Sequence, residues 1–138
     1  MSAPALPAVG ATLAETSVAF DSDRIAAYAL ASGDTNPLHT DPELARRAGF
    51  AAPLVHGMLV MAAFEPALVA WRPDLRVARL QGRFLQPLLA GEVARIGGRV
   101  VRADDESVTL RLVAQGPARV PAIMGEARLV RRARDPAR

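Results

Sequence analysis

From Gly57 to Trp71 the chain is almost wholly apolar, and this stretch limits the possible folds more than any other. Met58–Phe64 and Ala67–Trp71 carry no charge, and only Glu65–Pro66 interrupts them. A helix that is apolar all round has to be buried. This one is too short to cross a membrane, so the rest of the chain must supply a shell around it. Proline inside a helix costs about 3 kcal/mol or more. The run is therefore expected either to kink at Glu65–Pro66 or to end a first helix near Phe64. Met58, Met61 and Trp71 are expected in the core.

The shell reads as strands behind the run and short helices ahead of it. Ala78, Leu80, Gly82 and Phe84 alternate with Arg79, Gln81 and Arg83 inside Val77–Leu85, a period of two. Glu92–Arg102 is a second strand, with a bulge expected at Gly97–Gly98, and Asp104–Asp105 is a turn. Val108, Leu110 and Leu112 alternate with Thr109 and Arg111, and Ile123, Gly125, Ala127 and Leu129 alternate with Met124, Glu126 and Arg128. Towards the start, Ala11–Phe20 suits a strand. Ile25, Ala26, Tyr28, Ala29 and Ser32 form a helical stripe, predicting a helix over Asp23–Ala31 with Asp21 or Ser22 as N-cap. Asp41–Pro42 opens a second short helix that runs through Arg47 and stops near Gly49. Phe50–Val55 is a connector. A helical front, one buried helix and sequential antiparallel strands make the chain α+β. At 138 residues it is a single domain over 1–138, with 1–10 loose and the arginine-rich tail from Arg131 frayed.

Composition removes several classes of function. With no cysteine there is no disulfide, thiolate nucleophile or thiolate metal site. Two histidines without a pairing pattern do not make a structural zinc centre, and no metal is expected. All the basic charge is arginine, and aromatics make up 4% of the chain, which counts against stacking on bases. No nucleic-acid or membrane partner is expected. Met1–Gly10 lacks the charged and apolar regions of a signal peptide, so a cytoplasmic protein is expected.

Between the two predicted front helices lies Ser32–Gly33–Asp34–Thr35–Asn36–Pro37–Leu38–His39. Gly33 is a helix stop, and Asn36–Pro37 cannot continue a helix. Asp34 and His39 therefore share one short, stiff loop on which a carboxylate and an imidazole can converge, an arrangement suited to proton transfer. The same residues also make a good turn, since Asp and Asn bond their own backbone.

Tyr28 to His39 resembles the signature of the MaoC-like, (R)-specific enoyl-CoA hydratases: an aromatic, then Ser-Gly-Asp-x-Asn-Pro-Leu-His, with a small residue, Ala45, beyond it. The similarity continues through Asp41–Phe50 and Pro53–Leu59, and returns at Gly82–Pro87 and Gly91–Glu92. The resemblance implies the hotdog fold, a curved antiparallel sheet around a central helix, usually as a homodimer. It implies hydration of a trans-2-enoyl thioester, or the reverse dehydration, with Asp34 and His39 as catalytic residues and the Gly57 N–H as oxyanion donor. The substrate would be carried by coenzyme A or an acyl carrier protein, and no cofactor is needed. Asn36, Ser32 and His56 are expected to support the loop. Tyr28, Leu38, Phe50, Met58, Met61, Phe64 and Trp71 are the candidates for an acyl pocket. Glu65, a charge on the apolar run, leaves two alternatives open: a hotdog thioesterase using that carboxylate, or a non-catalytic thioester-binding subunit.

Overall fold

The computed structural model describes residues 2–133. Strand β1, Thr12–Ala19, leads into helix α1, Ser22–Ser32. The Asp21 carboxylate accepts the Arg24 N–H at 2.8 Å and so satisfies one of the free donors of the first turn of α1. Ile25 and Ala29 of the stripe are buried. The helix stops at Gly33, whose N–H returns to the Ala29 carbonyl at φ 77°. Helix α2, Pro42–Arg47, is capped by the Asp41 carboxylate, which accepts from the N–H groups of Glu43 and Leu44.

The apolar run is two helices, α3 over Gly57–Ala62 and α4 over Phe64–Trp71. The break falls at Ala63, ahead of Glu65–Pro66, so the second of the two expected forms is adopted. Pro66 sits in the first turn of α4, where an N–H would have no intrahelical acceptor, and there proline breaks nothing.

Four further strands follow: β2 over Leu75–Phe84, β3 over Val93–Ala103, β4 over Ser107–Gln115 and β5 over Pro121–Arg131. With β1 they form one antiparallel sheet in the order β1-β3-β4-β5-β2. Ile96, Val100, Leu110, Leu112, Ala127 and Leu129 present one face of the sheet to Val60, Phe64 and Leu68 of the two apolar helices. Phe64 is fully buried, a contribution of roughly 1.5–3 kcal/mol for a side chain of that size. This is the α+β hotdog arrangement expected.

Local details differ from the alternation read in the sequence. A register shift between Val77 and Arg79 inserts Ala78 as an extra residue, so the inward row of β2 runs Leu75, Val77, Leu80 and Ala78 is exposed. An irregularity does fall at the expected Gly97–Gly98: Leu13 pairs with Gly98 and Thr16 with Ile96, so the extra residue is on β1 opposite Gly97, while β3 runs evenly against β4 through Gly97↔Val113 and Gly98↔Leu112 and shifts register only between Val100 and Arg102. The described part of 1–10 is tied down by Gly10 N–H to Val100 O at 2.8 Å, and by Pro4 O accepting from Arg131 Nη1 at 2.7 Å. Arg131 pairs with Leu75, and Arg132 N–H donates to Asp74 O at 3.0 Å. The rest of the expected frayed tail, 134–138, lies outside the described residues. Among the described residues no helix is long and apolar enough to cross a membrane.

Candidate active site

The loop after α1 is built by its own side chains. Ser32 Oγ accepts the Asp34 N–H at 3.1 Å, and Asp34 Oδ1 accepts the Asn36 N–H at 3.3 Å. Asn36 Oδ1 accepts the Leu38 N–H at 3.0 Å, capping a single 3₁₀ turn over Pro37–His39 that was not foreseen as helical. Each of these is the local side-chain to backbone bond that Asx and Ser turns make. They bring Asp34 Oδ2 within 3.6 Å of His39 Nε2.

A second segment completes the clamp. The Leu54 N–H donates to Leu38 O at 2.9 Å, and His39 Nδ1 lies 2.7 Å from Leu54 O. A carbonyl only accepts, so Nδ1 carries a proton, and Nε2 is the ring nitrogen that faces Asp34. His56 lies beneath: its ring stacks on that of His39 with centroids 3.7 Å apart and 19° between planes, and its Nε2 is 3.0 Å from the Asp34 carbonyl oxygen. The Tyr28 ring meets that of His56 in a T-shaped arrangement, with centroids 4.8 Å apart and 64° between planes.

Asp34, His39, His56 and Gly57 line a cavity of about 580 Å³ whose other walls are mostly apolar. Gly57 begins α3, and no side chain caps that helix. Of the acyl-pocket candidates, Tyr28 and Met58 line this cavity; Leu38, Phe50, Met61, Phe64 and Trp71 do not. Phe64 is sealed in the core, and Met61 packs towards Gly82 of β2. Met58, expected in the core, is 56% exposed because it projects from the first turn of α3 at the cavity rather than towards the sheet. The walls that pattern reasoning missed are Leu54, Val55 and Val60, Phe84 to Leu88, where β2 ends, and Ala122–Ile123 of β5. Phe84–Pro87 fall within the stretch that resembled the family motif, which was the available signal.

Glu65 is exposed on α4 and is not among the cavity residues. Asp34, His39 and His56 hold ligand-type atoms within 4.8 Å of one another. With the two rings nearly parallel, however, their in-plane lone pairs run side by side instead of meeting at one point, and one nitrogen of each ring is engaged by a carbonyl.

The family model described as "MaoC like domain" matches residues 6–116. The chain is 46% identical over 84 residues to the mitochondrial 3-hydroxyacyl-[acyl-carrier-protein] dehydratase of Arabidopsis thaliana, a match covering 61% of this chain and 50% of that protein. To the (R)-specific enoyl-CoA hydratase of Aeromonas caviae it is 35% identical over 120 residues, 83% of this chain and 88% of that one. A solved structure described as the (R)-hydratase from A. caviae involved in PHA biosynthesis superposes with a TM-score of 0.84 at 29% identity, over 91% of this chain and 98% of that one. The chain spans half the length of the Arabidopsis protein and smaller shares of other curated relatives.

Proposed function

Since the chain belongs to the MaoC-like domain family, we propose that it is a hydro-lyase acting on acyl thioesters, adding water to a trans-2-enoyl thioester to give the (R)-3-hydroxyacyl thioester, or removing it. The observation that carries this reading is Asp34 Oδ2 standing 3.6 Å from His39 Nε2 on the wall of an otherwise mostly apolar cavity. That gap is too long for a good direct hydrogen bond, and with the imidazole neutral, its proton on Nδ1, both atoms are acceptors. A water between them donates one hydrogen to each and keeps its oxygen lone pairs free for C3. As the C3–O bond forms, the pair takes one proton from the water and returns one to C2, from the same side of the double bond. Hydration changes no net oxidation level, so the reaction calls for no redox cofactor.

Charge then accumulates on the thioester oxygen. The first-turn N–H of Gly57, at the uncapped start of α3, is the donor in reach of the cavity; one oxyanion donor is worth roughly 3–4 kcal/mol. The apolar walls suit an acyl chain, and the carrier is coenzyme A or an acyl carrier protein. The outer edge of β2 is unpaired in this sheet, and a second copy of the chain is the proposed occupant.

The test follows the conjugated absorbance of crotonyl-CoA and a longer enoyl-CoA, with a thiol reagent in parallel. Loss of absorbance without thiol release is expected, and Asp34→Asn should lower kcat by about 10²–10⁴-fold. Full activity in both Asp34→Asn and His39→Ala would sink the reading. Thiol release abolished by Glu65→Gln would establish the thioesterase instead, and binding without turnover across a broad panel would leave a thioester-binding subunit.

A further inference from the structure

Resting on that hydratase reading, we propose that His56 is the positioning residue that holds the carboxylate and the imidazole in register. Its ring is 2% exposed, so it offers substrate almost nothing. Yet it touches both members of the pair: Nε2–H donates to the Asp34 carbonyl across 22 residues of chain, and the ring face lies on His39. Because the Asp34 carbonyl can only accept, the proton of His56 is on Nε2, and its buried Nδ1 has no partner among the described residues. An unpartnered buried acceptor is unfavourable, and an aromatic ring without nitrogen would avoid it. What the imidazole adds over such a ring is the Nε2–H. The two contacts separate cleanly by substitution. His56→Phe keeps the stack and loses the donor; His56→Gln places an amide N–H near the position of Nε2 and loses the stack.

The groups facing His56 are Asp34, His39 and Tyr28, so the same variants also report whether any of these is displaced. A misplaced reacting group costs turnover more than binding, so His56→Phe should lower kcat about 10- to 100-fold with KM changed by less than about twofold. His56→Gln should recover part of that loss. Wild-type kcat in His56→Phe, or equal losses in both variants that track a fall in Tm, would overturn the proposal. On the wild-type protein, which has only two histidines, ¹⁵N-resolved imidazole NMR should place the proton on Nε2 of His56 and on Nδ1 of His39. A proton on Nδ1 of His56 would overturn it even if neither variant folds. If the wild type turns over no enoyl thioester, the hydratase reading fails, while the NMR result still decides the contact.

Discussion

A Cβ added at Gly57 would stand 2.9 Å from Cε1 of Phe84, closer than nonbonded carbons approach, so Gly57→Ala must push that ring aside. Phe84 is 53% exposed and can move, so the fold should survive while the ring shifts into the cavity beside the thioester. We expect kcat/KM with crotonyl-CoA to drop about tenfold or more, and Gly57→Ala combined with Phe84→Ala to regain part of it. Unchanged kinetics in Gly57→Ala would show that no substrate atom approaches this backbone. Asp34 and His39 could be read from the sequence because five positions on a proline-stiffened loop bring them together whatever the rest of the chain does. His56 reaches Asp34 across 22 residues, and Phe84 reaches Gly57 across the body of the domain. No local pattern encodes such contacts; each joins segments that are distant in the sequence and meet only in the folded chain.

Among the elements, the front helices were legible because their ends are written in side chains: Asp21 and Asp41 as N-caps, Gly33 as a stop. At φ 77° Gly33 is in the left-handed region, where a Cβ is disfavoured. Gly33→Ala should cost about 1–2 kcal/mol, seen as a lowered Tm. It should also loosen Asp34 and so lower kcat; an unchanged Tm would mean that the loop relaxes into another turn. Ala63 as the helix break, Ala78 as the inserted residue of β2 and the bulge on β1 were not legible. Each depends on how two neighbouring elements fit together. Pro66 was accommodated without distortion in the first turn of α4, and opposite Gly97–Gly98 the extra residue of the register shift stands on the partner strand.

For the molecule as a whole, the end of α4, the start of β2 and the end of β5 are fastened at Asp74. Its carboxylate takes a fork from Arg72, Nε at 2.7 Å and Nη2 at 2.6 Å, and its carbonyl accepts the Arg132 N–H. The hydrogen bonds from Arg72 hold the Asp74 carboxyl below the usual carboxylate range. Because the folded value lies below the unfolded one, the pair stabilises the fold fully above about pH 4, and that contribution disappears as pH falls through the folded value. Asp74→Asn should therefore lower Tm at about pH 7, and the gap to wild type should narrow as the pH is lowered towards about 2. A Tm gap that stayed constant between those two conditions would assign the effect to something other than this charge.

Phe84 is at once the last residue of the edge strand β2 and a wall of the cavity that Asp34 and His39 line. If a second copy occupies that edge and an acyl chain enters this cavity, as proposed above, the partner would cover or reshape the way in. Association and substrate admission would then be two readings of one equilibrium: by mass action, a substrate that favours the covered state would draw subunits together, and dilution would act as an inhibitor.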